Sequence, residues 1–305
     1  MAHEAQPARA AALAKPPIPA VAPPGIASYG DGLEGLAMSE NHDAPPGPAV
    51  TANVARIYDY LVGGKDNYGI DRVAAEALLQ IVPDAATAAR QNRAFLGRAV
   101  RFLARNAGIR QFIDIGTGLP THGNVHEIAQ KTIPDARVLY VDNDPVVAVH
   151  AQALLTDNAT TVAINRDLRD PDEILNHPAL RALIDLREPV AVLLVAVLHF
   201  IKDAENPYAI VGRLKEAMAP GSYLVISHVT GDDIPPEDAA TARKLYDRAN
   251  APGIARTHAE VKRFFDGLDV IPPGLVSCSS WRTRPPTGPA RTIFYAGIGQ
   301  KGVRG

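Results

Sequence analysis

The run Phe112-Ile-Asp-Ile-Gly-Thr-Gly-Leu-Pro120 decides how this chain folds. An apolar strand carrying one acid is broken by Gly116 and Gly118, which remove Cβ atoms where the backbone must turn sharply and approach a ligand. The segment from Gly123 to Lys131 then reads as a helix whose N-terminus faces the same spot. Two further apolar segments, Val138-Leu-Tyr-Val-Asp142 and Val162-Ala-Ile-Asn-Arg-Asp167, also end in an acid. This alternation predicts an α/β fold with a parallel sheet. It sets Asp114, Asp142 and Asp167 along the sheet edge where open α/β folds bind ligands.

Working outward, Val190–Leu198 is a near-continuous apolar run, as expected for a central strand covered on both faces. A strand over Tyr223–Ser227 follows a helix capped by Asn206-Pro207, which reaches Met218 and is stopped by Pro220-Gly221. Helices near Pro236–Asn250 and His258–Gly267 and strands at Val270–Ile271, Val276–Trp281 and Thr292–Ile298 close the domain. Upstream, Val54, Ile57, Tyr58 and Leu61 recur at helical spacing behind the N-cap Asn53, and Gly63-Gly64 ends that helix. A second helix is predicted over Asp71–Ile81. A third runs from Ala85 to Asn106, with Phe95, Leu96, Val100 and Leu103 on its inner face. Because all three precede the first strand, they form a cap over the sheet edge. The predicted organisation is a disordered Pro/Ala-rich tail at 1–50, a helical cap at 51–108 and a ligand-binding catalytic domain at 109–305.

Composition narrows the class. With 305 residues, 47% of them hydrophobic, the chain can bury one sizeable core. Lys plus Arg total 31 against 33 for Asp plus Glu, so no basic field argues for nucleic acid or an anionic membrane surface. No apolar run is long enough to span a membrane. The single Cys278 excludes an intrachain disulfide framework and a cysteine-rich metal site, and a reducing cytoplasm fits. Nine of the 26 prolines fall within residues 1–50, which also lack the continuous apolar core of a secretory signal.

The ligand follows from the acids. The dinucleotide fingerprint needs a third glycine where Thr121 stands, and Asp114 would repel a pyrophosphate. The same acid suits a ligand carrying an ammonium and a sulfonium, as S-adenosylmethionine does. Asp142 then suits the ribose diol and Asp167 the adenine amino group. Asp144 before Pro145 and Asp170 before Pro171 read instead as helix caps.

The run Asn53-Val-Ala-Arg-Ile-Tyr-Asp-Tyr-Leu-Val-Gly-Gly-Lys-Asp-Asn-Tyr68, with Asp114-Ile-Gly-Thr-Gly-Leu-Pro-Thr121, Tyr140-Val-Asp-Asn-Asp-Pro145 and Leu198-His-Phe200, resembles the actinobacterial S-adenosylmethionine-dependent methyltransferase family once catalogued as a domain of unknown function. The likeness covers roughly residues 51 to 300 and shows no departure in these motifs. It implies a Rossmann-like class I methyltransferase fold: a seven-stranded, mostly parallel sheet with one antiparallel strand near its edge and helices on both faces. It implies no particular acceptor. The expected cofactor site comprises Asp114, Gly116, Thr117, Gly118, Thr121, Asn124, Asp142, Asn143, Asp167 and Leu168.

His199, expected at the end of the fourth strand beside the methyl group, has three readings: a general base for an acceptor hydroxyl, a pocket-lining residue, or a plain structural one. In small-molecule O-methyltransferases with a Leu-His-Asp-Trp segment the equivalent histidine is the base, and Leu198-His199-Phe200-Ile201 resembles that segment partly. His122 and His126 have a spacing able to hold one metal, but no third ligand is evident, so no metal is expected. Contacts of Thr121, His122 or Asn124 to the methionine carboxylate are the alternative. His228 either faces the acceptor or caps the sheet edge. Gly63-Gly-Lys-Asp-Asn-Tyr68 lacks phosphate-loop spacing. It is either a solvated turn or a lid whose Tyr58, Lys65, Asp66 or Tyr68 touches ligand, with help from Arg90 or Arg93. Trp281 reads as core. A methyltransferase acting on a small-molecule acceptor, with O-methylation favoured, competes with a catalytically silent S-adenosylmethionine-binding regulator and, behind both, an NAD-dependent oxidoreductase. The oxidoreductase lacks the third glycine and a recognisable hydride-chemistry pair.

Overall fold

The computed structural model describes residues 51–120, 123–147, 149, 158–283 and 291–302. The tail expected at 1–50, Thr121 and His122 lie outside the described residues. Three helices open the chain: α1 (Val54–Val62), α2 (Gly69–Ile81) and α3 (Ala85–Arg105). The Asn53 side chain accepts from the amides of Ala55 and Arg56. Gly63, at φ 87°, ends α1 in the left-handed region that a Cβ would strain. Asp71 is fully buried and ties these helices together, accepting from the amides of Asn53 and Tyr68 and pairing with Arg56 Nε at 2.7 Å.

The sheet contains β1 (Gln111–Ile115), β2 (Arg137–Asp142), β3 (Thr161–Asn165), β4 (Ala191–Val195), β5 (Tyr223–Val229), β6 (Asp269–Val270), β7 (Val276–Ser277) and β8 (Phe294–Gln300). Its order is β3-β2-β1-β4-β5-β8-β6, with β7 also on β8. Strands β1 to β5 are parallel, and β8 runs antiparallel to β5, β6 and β7. The expected antiparallel strand is therefore present. The sheet has eight strands where the resemblance implied seven: seven lie on the main path, and the eighth is β7, a two-residue strand off it on β8, shorter than the strand predicted over Val276–Trp281.

Side-chain alternation gives the sheet two apolar faces. Phe112, Val138, Leu193 and Val225 pack with α1, α2 and α3, while Ile113, Leu139, Leu194 and Ile226 pack with the helices Pro171–Leu175, Pro178–Leu183, Pro207–Ala217 and His258–Arg263. Trp281 is fully buried edge-on to Phe95 and Phe102, as the sequence predicts, and Arg98 Nε on α3 donates to its carbonyl. Asp114 and Asp142 share the parity of Phe112 and Tyr140, so both acids lie on the face that α3 covers.

The fourth strand departs from expectation. It ends at Val195 rather than Leu198, because Ala196 takes φ 57° and turns the chain away from the ladder. Residues Leu198–Phe200 then form a single 3-10 turn. His199 consequently stands on a turn beyond the strand. The helix after the glycine turn is likewise shorter than predicted: α4 spans Val125–Gln130.

Candidate active site

Strand order reverses between β1 and β4, leaving a crevice where the turns after these strands diverge. Gly116, at φ 73°, sits so close to the turn after β4 that a Cβ there would overlap Val197. Gly118, at φ 62°, has open space where its Cβ would stand, which lets a ligand approach the backbone. The Gly118 amide donates to Asp142 Oδ2 at 2.9 Å, and the Asp144 amide donates to Asp142 Oδ1 at 3.0 Å, so the acid ending β2 also shapes the glycine turn.

A cavity of 280 Å³ opens over this edge. Asp114, Gly116, Thr117, Gly118, Asp142, Asn143, Asp167 and Leu168 line it, so eight of the ten expected cofactor residues come together. Asn124 does not line it. Its side chain is engaged by Arg93 and Glu127, because the Gly123-Asn124 turn folds against α3. Thr121 lies outside the described residues. Among the expected lid contacts, Tyr58 and Arg93 line the cavity, whereas Lys65 and Tyr68 do not. Lys65 is exposed, and Tyr68 is turned outward at the start of α2 with its ring under the Arg56 guanidinium.

The electrostatics divide the acids. Burial pushes Asp114 up to about 7, with Arg93 pulling it down and Asp142 adding to the rise. Burial also raises Asp142, against the lowering effect of the Asp144 and Gly118 amides. Asp167 lies below its ordinary value: partial burial opposes this, but the Arg169 amide, Asn143 and the Arg169 guanidinium outweigh it. Asp144 accepts from the Val146 amide and Asp170 from the Glu173 amide, so both are the helix caps predicted.

Five buried side-chain polar atoms lack a hydrogen-bond partner among the described residues, and four belong to cavity residues: Asp59 Oδ1, Asn92 Oδ1, Arg93 Nε and His199 Nδ1. Unpaired buried polar atoms are costly, and their gathering at one cavity marks groups that a ligand completes. Sequence reasoning missed Asn92. Tyr58 donates to the Ala89 carbonyl and so accepts from Asn92 Nδ2, which fixes the amide with its oxygen as a waiting acceptor. Nothing local distinguishes this asparagine from a solvated one. Also unforeseen was the role of the helix Pro236–Tyr246, which packs beside α2 and whose Ala239, Ala242 and Tyr246 line the cavity. The Val54 amide donates to Asn250 Oδ1, the Asn250 amide to the Ala52 carbonyl, and Asn53 Nδ2 to Asp144 Oδ2. The start of α1 thereby joins the chain after that helix to the end of β2.

His199 lines the cavity and is buried, with its ring against Phe200, His228 and Phe294. Burial, then His228 and Arg256, hold it well below the ordinary histidine value. His228 neither faces the cavity nor caps the sheet edge. It is fully buried, donating from Nδ1 to the Val229 carbonyl and accepting at Nε2 from Arg256. Both ring nitrogens of His228 are thus spent inside the protein. His126 is engaged with the Tyr140 hydroxyl, and no cluster of metal-ligating side chains occurs among the described residues. No helix among them is long and apolar enough to cross a membrane.

A mostly parallel sheet of this strand order, with helices on both faces and acids gathered at one edge, is the class I methyltransferase fold. Residues 48–302 match the model of the S-adenosyl methyltransferase family, and the chain belongs to that family. Two solved structures share this relationship. A DUF574-family protein from Streptomyces avermitilis is 41% identical, with a TM-score of 0.79 over 82% of this chain and 98% of its own. A proposed methyltransferase from Thermobifida fusca is 40% identical, with a TM-score of 0.79 over 86% of this chain and 100% of its own. Among curated proteins none matches the chain. The protein is an S-adenosylmethionine-dependent methyltransferase.

Proposed function

We propose that the acceptor is a small apolar molecule and that an oxygen atom on it receives the methyl group. The observation that carries this reading is the division of the cavity. Beyond the polar sheet edge its walls are Leu61, Leu78, Val82 and Ala89 of the cap, Ile234, Ala242 and Tyr246, and Phe294, beside His199. Such a lining buries an apolar body and spares one polar group for orientation.

The cofactor fits the residues present. Asp114 and Arg93 offer opposite charges to an α-ammonium and an α-carboxylate, with Asn92 Oδ1 as a further acceptor. Asp142 stands for the ribose hydroxyls, and Asp167 and Leu168 for the adenine. S-adenosylmethionine supplies an electrophilic methyl group on a sulfonium. The protein aligns the acceptor oxygen with that carbon, and alignment alone contributes about 7 to 11 kcal/mol. His199 would accept the hydrogen bond of the acceptor hydroxyl at Nδ1 and then its proton, while the apolar walls exclude water. A reducing cytoplasm is the expected compartment.

The test is formation of S-adenosylhomocysteine with a panel of hydroxylated aromatic and alicyclic compounds, matched amines, a basic peptide and an oligonucleotide. Turnover confined to hydroxyl compounds supports the reading. Turnover with the amines, peptide or oligonucleotide overturns it. Tight cofactor binding with no turnover on any of them favours the silent regulator.

A further inference from the structure

We propose that Arg256 is a positioning residue of the methyl-transfer site, building from the buried side the turn that presents His199 to the acceptor. This rests on the role given to His199 above. Arg256 lies 57 residues after that histidine in sequence and touches nothing in the cavity. Its side chain is nevertheless almost wholly buried beneath the turn. Nη1 donates to the Leu198 carbonyl at 3.0 Å and to His228 Nε2 at 2.9 Å; Nη2 donates to the Ile201 carbonyl at 2.9 Å and to Asp203 Oδ1 at 2.6 Å. The two carbonyls bracket the single turn that carries His199. Backbone bonds complete the clamp: the Ile254 amide donates to the His199 carbonyl at 2.8 Å, and the Arg256 amide donates to the Val229 carbonyl at 3.2 Å, at the end of β5.

One planar guanidinium therefore fixes three things together: the path of the turn after β4, its distance from β5, and the orientation of His228. The ring of His228 meets that of His199 edge-on at 5.6 Å. A flexible lysine cannot hold both carbonyls and the imidazole in one plane. The cation has a second consequence. The charged groups around the turn are the Arg256 guanidinium, its partner Asp203, and Arg169, whose Nη2 donates to the Phe200 carbonyl, and the rings against His199 are Phe200, Phe294 and His228. Protonated imidazole is disfavoured there, so His199 meets the acceptor as a neutral hydrogen-bonding group whose Nδ1 has no protein partner. The clamp aims the ring and keeps it ready to receive a hydrogen bond.

The experiment follows the imidazole signals of nitrogen-15-labelled histidines from pH 5 to 8 in wild type, Arg256→Gln and Arg256→Lys, each saturated with S-adenosylhomocysteine. In wild type, His199 stays neutral throughout. Arg256→Gln removes the cation, so the His199 midpoint moves upward while burial still holds it below the ordinary histidine value, and affinity for S-adenosylhomocysteine changes less than about threefold. Arg256→Lys keeps the charge, so His199 remains neutral but its ring signals move as the turn loosens. A purely structural arginine would lower the melting temperature and leave the His199 titration where it was. Unchanged His199 signals and midpoint in both folded variants overturn the proposal. If Arg256→Gln fails to fold, unchanged His199 ring signals in Arg256→Lys still overturn it. The same titration is run on the three proteins free of ligand, so failure of wild type to bind S-adenosylhomocysteine counts against the cofactor reading alone.

Discussion

The two halves of the cavity are built in different ways. At the sheet edge the functional groups are held by near neighbours or adjacent strands: Asp142 by the amides of Gly118 and Asp144, Asp167 by Arg169 two residues on and by Asn143. Across the cavity the polar groups depend on distant parts of the chain. Tyr58 is fixed by Ala89 and Asn92, and the turn bearing His199 by Arg256. The first half is a backbone design that tolerates little variation at a few positions. The second is a side-chain design spread over many, and this is where acceptors can differ while the cofactor stays the same.

The strongest way to break this contrast is Gly116→Ala. The substitution combines left-handed strain with overlap on Val197, and it should cost about 2 to 5 kcal/mol in denaturant unfolding. Gly118→Ala, with open space at its Cβ, should cost only about 1 to 2 kcal/mol. Equal losses would show that the close approach of the two turns is unimportant.

Asp142→Ala should weaken S-adenosylmethionine binding by about 10- to 100-fold in calorimetry, since a charge-assisted hydrogen bond is worth about 1.5 to 3 kcal/mol. Wild-type affinity in a folded variant would remove Asp142 from the ribose site.

A smaller effect comes from pH. Free Asp114 titrates at about 7, and pairing with an ammonium requires the carboxylate. Below pH 7 binding must therefore release a proton, and affinity should fall up to about tenfold between pH 7 and pH 6. The same raised value means that Asp114 opposes folding of the free protein as pH climbs from about 4 toward 7, and the bound cation offsets this. Affinity that is flat from pH 6 to 8, or proton uptake on binding, would contradict the pairing.

Smallest of all, Tyr58→Phe should cost about 1 kcal/mol of stability by leaving the Asn92 amide without its acceptor and removing the second hydrogen bond to the Ala89 carbonyl. Cofactor affinity should move less than threefold. A large loss of affinity would place Tyr58 against the cofactor and blur the division between the two halves.

Much of the fold and of the cofactor edge can be read from local pattern. Short apolar runs ending in an acid locate β1, β2 and β3, Asn53 and Gly63 mark the ends of α1, and the acids mark the ligand side. What failed was governed by contacts the pattern does not carry. The apolar run to Leu198 has no breaker, yet the strand stops at Val195 because Ala196 turns beside the Ser227 carbonyl and hydroxyl of β5. The Gly63-Gly64 loop reads equally as a solvated turn or a ligand lid, and local pattern does not choose between them. In the structure, Gly64 makes room for the Asp59 carboxylate, which accepts from Asp66 and Asn67, while Lys65 and Tyr68 stay off the cavity.

By itself the sequence determined the α/β alternation, the glycine turn and the three acids, because each rests on residues within one strand and its following turn, where sterics and hydrogen bonding act over a few positions. Only the tertiary structure decided that Asn92 faces the cavity with an open acceptor, that the helix Pro236–Tyr246 lines the cavity, and that a buried Arg256 sets His199. Those outcomes depend on which distant groups share a low-dielectric interior, where an unmade hydrogen bond or an unpaired charge costs far more than it does in water.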